Sequence, residues 1–164
     1  MATIEIKFSE LAHWHKIHLN TAWHISLRSK DPSTKCGAII TKGKYEVSLG
    51  YNGFSTRVKD LPERYTDRDL KYQLMLHAET NAILKSKKSL NHTTIYTYPL
   101  PPCVRCACNI IQAGITKVIA PKPLGSLALR WKDSLNLAST LYNESDVQLI
   151  LVTDIPEWPE PCID

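Results

Sequence analysis

Two short motifs limit what this chain can fold into. His77-Ala78-Glu79 and Pro102-Cys103-Val104-Arg105-Cys106 lie on either side of a single predicted strand. One imidazole and two thiols are nitrogen and sulfur ligands of the kind that share a single Zn²⁺. A catalytic zinc takes three protein ligands and keeps a fourth position for water, and three are on offer here. Glu79, two residues past His77, is available to carry protons. Cys103 and Cys106 fall one helical turn apart on one face. Near a helix N-terminus the unpaired N–H groups and the macrodipole favour thiolate over thiol. For His77 to meet them, a second helix must start beside the first. In parallel α/β units ligands gather at the carboxyl ends of strands, where such helices begin.

The rest of the chain supplies that frame. Leu11, Trp14, His18, Ala22 and Ile25 recur at helical spacing and predict an amphipathic helix over about residues 8–29, stopped by Asp31-Pro32-Ser33. Residues 36–40 read as a short buried strand. Lys42-Gly43-Lys44 turns the chain, and residues 45–51 return as its antiparallel partner. Asn52-Gly53 opens a long polar segment through Asp69, and a loop of that length is usually functional or mobile. A helix over residues 77–88, a strand over 93–98, a helix over 103–113 ended by Gly114 and a strand over 116–120 follow. Ser126 then caps a helix through about Leu141, and residues 147–152 form the last strand. Alternating later strands and helices imply right-handed parallel crossovers. The expected architecture is a three-layer α/β/α sandwich with a mixed five-stranded sheet. One domain is expected over residues 1–153, with an irregular, proline-rich acidic tail over 154–164.

Composition narrows the setting. No apolar run approaches a membrane span, and the stretch from Met1 to Lys7 lacks the basic-then-apolar order of a signal peptide, so a cytoplasmic protein without a membrane partner is expected. Five cysteines, two of them in C-x-x-C, suggest reduced thiols and a metal rather than a disulfide frame. The net charge of +4 suits an anionic small substrate without requiring one. A structural Cys₃His zinc is the competing reading of the motif. Its fourth ligand would be Cys108, which lies about 200° round the helix from Cys106 and should face away. Cys108 and Cys36 read instead as small buried hydrophobes. His13, His15, His18 and His24 spread over several faces of the first helix, so a second metal site there is disfavoured.

H-x-E followed by P-C-x-x-C resembles the signature of the cytidine deaminase superfamily. The flanks resemble dCMP deaminases at residues 29–38 (with Cys36 where valine is usual), at Gly50-Tyr51-Asn52-Gly53, at Lys71-Tyr72, and at residues 77–83 and 110–115. The likeness weakens after about residue 125, and Pro99 departs from the family's usual small or β-branched residue. The resemblance implies one Zn²⁺ held by His77, Cys103 and Cys106, with Glu79 as a proton carrier that is not a ligand. It implies that the Ala78 N–H binds the base carbonyl, that backbone carbonyls at Leu100 and Pro101 receive the amino group, and that Lys71 and Tyr72 contact substrate. The implied reaction converts dCMP to dUMP and ammonia, supplying dUMP for thymidylate synthesis. Homo-oligomers, commonly hexamers, are implied too, as are the effectors dCTP and dTTP near Lys85 and Lys88, with Mg²⁺ accompanying the regulatory nucleotide. A solvated basic helix end explains those lysines equally well.

A phosphate wants cations and N–H donors, and Lys30, Lys35, Arg57, Lys59, Arg64, Arg68 and Lys71 flank the predicted pocket loops. Asn52 offers a donor and an acceptor to a deoxyribose hydroxyl, or is the left-handed residue of an Asn-Gly turn. Deamination of a tRNA adenosine or of another nucleoside or base is the nearest alternative. The acidic tail disfavours RNA, and nucleic acid is not an expected partner. A zinc-stabilised binding module without catalysis is the alternative of a different class, and Glu79 argues against it.

Overall fold

The computed structural model describes residues 3–158. Ile4–Lys7 alternates apolar and charged side chains, the period of a strand, and forms β1. A 3₁₀ turn, Phe8–Glu10, leads to α1, His13–Ser26. The expected helix over 8–29 is therefore shorter, because the 3₁₀ turn takes up its first residues and the helix ends at Ser26. β2 (Gly37–Lys42) and β3 (Tyr45–Tyr51) form the hairpin, followed by β4 (Gly53–Phe54), α2 (Glu63–Thr66), α3 (Arg68–Leu74) and β5 (Met75–Leu76). The long polar segment is thus not a bare loop. Its short helix α2 and the start of α3 fall inside it, and β4 pairs with β5 as a two-stranded ribbon leading into the first motif. Then come α4 (Ala78–Lys85), β6 (Thr94–Tyr98), α5 (Val104–Gln112), β7 (Lys117–Pro121), α6 (Gly125–Glu144) and β8 (Gln148–Thr153). Leu124, not Ser126, precedes the first turn of α6, and no side chain caps it.

The main sheet has six strands in the order β1-β8-β7-β6-β2-β3. It is mixed, with helices on both faces, as expected. The sixth strand is β1, which pairs parallel to β8 at the sheet edge. Strand residues alternate between two cores. Ala38, Ile40, Ile95, Val118 and Leu149 pack with Ala82, Ala107, Ile110 and Tyr142 on one face. Ile39, Tyr96, Ile119 and Val152 pack with Leu19 and Ala22 of α1 on the other.

Two glycines set the spacing of these layers. Gly37 pairs with Tyr51 and Ala38 with Gly50, so the glycines face opposite sides of the hairpin. A Cβ on Gly37 would come within 2.1 Å of the Ala22 carbonyl oxygen, and one on Gly50 within 2.4 Å of the Ala78 carbonyl oxygen. Backbone thus lies directly on backbone: α1 on one face, α4 on the other. Past β8, residues 154–158 form neither helix nor strand, and Trp158 stacks on Trp23 at 5.4 Å and meets Tyr98 edge-on at 5.2 Å. The expected tail from residue 159 onward lies outside the described residues. Among the described residues no helix is long and apolar enough to cross a membrane.

Candidate active site

β2 runs antiparallel to β3 and β6, with Gly37 opposite both Tyr51 and Tyr98. The segment before β2, the segment after β3 and the segment after β6 therefore emerge at one end of the sheet. The β4–β5 ribbon leads into His77, the extended residue that precedes α4. Cys103, extended after Pro101-Pro102, precedes α5 in the same way. The first free N–H of α5, on Val104, donates to Ser134 Oγ of α6 at 3.1 Å.

The two helix starts converge. His77 Nδ1 lies 3.4 Å from Cys103 Sγ and 3.4 Å from Cys106 Sγ. The three ligand atoms all lie within 4.8 Å of one another, and among the described residues no other His/Cys/Asp/Glu group comes together in this way. Nitrogen and sulfur bound to one tetrahedral zinc at ordinary bond lengths sit about 3.5 Å apart. The donor set fits that ion. Cys108, which was expected to be buried, is exposed, and Cys36 is half-buried on the cleft wall. Exposure leaves Cys108 facing away from the other two thiols and outside the donor cluster.

The electrostatics suit a metal site. A hydrogen bond from the Cys106 thiol pulls Cys103 down to about 4, with His77 adding to the effect. The same contact pushes Cys106 upward. The hydrogen bond with Cys103 raises His77 to about 9 against the opposing effect of burial. One thiolate is thus already favoured here, and metal binding would displace the shared protons. Glu79 is buried, and burial raises its carboxyl above the usual carboxylate range.

His77, Glu79 and Cys103, though not Cys106, line a cleft of about 750 Å³ including its open mouth. Of the residues singled out in the sequence, Asn52, Lys71, Tyr72, His77, Glu79, Leu100, Pro101 and Cys103 line it. Ala78 does not; its side chain is buried, which leaves the backbone N–H at the first position of α4 as the group it can offer. The Leu100 carbonyl already accepts a 2.8 Å hydrogen bond from Thr97 Oγ1. Lys85 and Lys88 lie off the cleft, the Lys85 ammonium 5.3 Å from the Tyr51 ring centre.

Two wall residues are tied up within the protein. Lys71 is buried, with Nζ 3.0 Å from Asp31 Oδ1 and 2.9 Å from Ser33 Oγ. Asn52 Oδ1 accepts from the Cys36 N–H at 2.8 Å, and its amide donates to the Thr34 carbonyl at 2.9 Å. Asn52 has no positive φ, so it is not a left-handed turn residue; it clasps the 31–36 segment. Of the seven flanking cations only Lys71 reaches the wall. Lys30 instead pairs with Asp60 at 2.5 Å.

Arg130 and Trp131 of α6 also line the cleft, and neither was singled out in the sequence. Arg130 Nη2 donates to Thr34 Oγ1 at 3.3 Å, and the Trp131 ring stands edge-on to His77, centroids 6.4 Å apart. No local pattern marks them, since their place depends on how α6 lies across the sheet. Asp31, Ser33 and Thr34 lay within a stretch already matched in sequence, which was the signal for that wall.

Residues 12–122 match the family described as the cytidine and deoxycytidylate deaminase zinc-binding region. An uncharacterized deaminase in the luxG 3' region of Aliivibrio fischeri is 36% identical over 139 residues, covering 85% of this chain and 93% of that protein. The deoxycytidylate deaminase of Homo sapiens is 38% identical over 120 residues, covering 69% of this chain and 67% of that protein. The crystal structure of the dCMP deaminase of cyanophage S-TIM5 in complex with dCMP and dUMP superposes with a TM-score of 0.65 at 24% identity, covering 85% of this chain and 96% of that one. At that identity the superposition shows a shared fold.

Proposed function

The chain belongs to the cytidine and deoxycytidylate deaminase zinc-binding family, and from that premise we propose that it hydrolyses dCMP to dUMP and ammonia. The observation that carries the reading is buried Glu79 lining the same cleft as His77 and Cys103, two members of a three-donor cluster that fits zinc. His77, Cys103 and Cys106 would hold the ion. When bound, zinc supplies a water acidified for attack at the carbon bearing the amino group.

The chain's own groups do the rest. Glu79 takes a proton from the attacking water and delivers it to the ring nitrogen beside that carbon. It then takes the proton left on the newly bonded oxygen and passes it to the amine as the carbon–nitrogen bond breaks, so water and dCMP are consumed and dUMP and ammonia leave. A carboxyl raised by burial holds a proton more readily than an exposed one, which suits both transfers. The Ala78 N–H and the carbonyls at Leu100 and Pro101 orient the base. Tyr72, half exposed at the rim, closes on the sugar side.

A nucleotide rather than a nucleoside is favoured by Arg130. Its guanidinium contacts the Thr34 hydroxyl at the cleft, which Ser33 also lines, a donor set that suits phosphate. Lys71 pairs with Asp31 on the same cleft lining, so a bound phosphate would not face a bare carboxylate. The same reading extends to a cytoplasmic homo-oligomer that supplies dUMP for thymidylate synthesis. It extends also to regulation by dCTP and dTTP, with Mg²⁺ accompanying the regulatory nucleotide. Exposed Lys85, Lys87 and Lys88 at and just past the end of α4 support an anionic effector there.

Ammonia release from cytosine, deoxycytidine, dCMP, dCTP and a tRNA anticodon stem, with and without dCTP or dTTP, tests this. Turnover is expected with dCMP, shifted by the effectors. Zinc-loaded protein that releases no ammonia from any of them refutes the enzyme reading.

A further inference from the structure

Threonines inside helices ordinarily turn their hydroxyls back to a carbonyl one turn earlier. Thr21 does so to Ile17 at 3.0 Å and Thr140 to Asn136 at 3.2 Å. Thr80, in the first turn of α4, turns across to the neighbouring helix instead. Its Oγ1 lies 3.7 Å from Cys106 Sγ and receives a 3.2 Å hydrogen bond from Asn109 Nδ2 of α5. A side-chain amide nitrogen can only donate. With its oxygen accepting from Asn109, Thr80 has one hydrogen left to give, and the sulfur is the partner in reach.

We propose that Thr80 is a positioning residue for the metal site: it donates a hydrogen bond to the Cys106 sulfur, and Asn109 holds its hydroxyl in that orientation. The proposal rests on the zinc reading above. Thr80 follows Glu79 and lies three residues from His77, whereas Cys106 and Asn109 share one face of α5. The bond therefore bridges the two helices that bring the ligands together. It also draws negative charge from the sulfur, and the energy of a sulfur-to-metal charge-transfer band reads that. Outer hydrogen bonds of this kind orient ligands and tune the ion, and losing one typically lowers metal affinity by about 10–100-fold.

The test compares wild-type protein with Thr80→Val, Thr80→Ser and Asn109→Asp. Zn²⁺ affinity is measured by chelator competition, and the sulfur-to-metal charge-transfer band in the Co²⁺-substituted protein. Thr80→Val keeps the shape and removes the hydrogen; about tenfold or greater weakening of Zn²⁺ binding is expected, with the band moved to lower energy. Thr80→Ser should restore both. Asn109→Asp, at an exposed position, offers only acceptors and should draw the hydroxyl hydrogen away, reproducing the Thr80→Val shift. Unchanged affinity and band in Thr80→Val overturn the proposal. Weaker binding without a band shift also overturns it, since packing alone would then explain the loss. Wild-type protein that binds no Zn²⁺ overturns the zinc reading itself, a distinct outcome.

Discussion

The floor and the rim of the cleft are built differently. The floor comes from two pairs of residues close in sequence, His77 with Glu79 and Cys103 with Cys106, each at the start of a helix. Backbone contact through Gly50 fixes α4 against the sheet. The rim comes from side chains that clasp groups far away in sequence: Lys71 with Asp31, Asn52 with the Cys36 backbone N–H, Arg130 with Thr34. On the proposed reading, chemistry would sit on elements packed against the sheet, and recognition on pairings that can be altered singly. A floor substitution should change turnover for every substrate, and a rim substitution should change stability or selectivity.

Glu79→Gln should show the largest effect. The amide cannot carry the proton, and loss of a general acid/base lowers rate by about 10²–10⁴-fold; serving several transfers, Glu79 should lie at the upper end. Zinc content should stay at wild-type level. Steady-state rates with parallel metal analysis check this, and turnover within a few-fold of wild type removes Glu79 from the chemistry.

Lys71→Met probes the rim. It leaves Asp31 charged and buried without its cation, which should destabilise the fold by about 3–5 kcal/mol. Combining it with Asp31→Asn removes both charges and should recover much of the loss. Urea unfolding of both variants decides; a single variant as stable as wild type would mean the pair is dispensable.

The smallest effect lies on the opposite face of the sheet. His18 is fully buried against Tyr96, and neither ring nitrogen has a hydrogen-bond partner among the described residues. Its neighbour His15 bonds the Tyr96 hydroxyl at 2.7 Å. Burial lowers both below 6.5, with Lys117 adding to the effect on His15 and Glu46 opposing it on His18. The unfolded chain then binds more protons just below pH 6.5. Their contribution is fully present above about 6.5 and is lost as pH falls below that, through the lowered folded-state values. His18→Leu should flatten that slope in zinc-loaded protein, as read from urea midpoints against pH. An unaltered slope would place the titration elsewhere.

The same contrast explains what the sequence revealed. The floor was legible because residue type, spacing and ligand chemistry coincide within each motif. The mixed sheet was legible from alternating apolar runs. β1 escaped notice because four residues at a sheet edge carry little pattern. The ribbon β4–β5 and the helices α2 and α3 escaped because each is too short for its period to show. Lys71 was legible as a wall residue but not as half of a buried pair, since its partner lies 40 residues earlier. Arg130 and Trp131 had no local mark at all. They reach the cleft because Ala138 and Tyr142 seat α6 on the sheet.

The division between floor and rim is tested most directly by the kcat/KM ratio of dCMP to deoxycytidine at low salt, in wild type and in Arg130→Ala. Two charge-assisted hydrogen bonds to phosphate, each about 1.5–3 kcal/mol, predict a wild-type ratio of about two to four powers of ten. Arg130→Ala should lower that ratio at least tenfold through dCMP alone, leaving deoxycytidine turnover unchanged. A wild-type ratio near one, or equal losses on both substrates in Arg130→Ala, contradicts it.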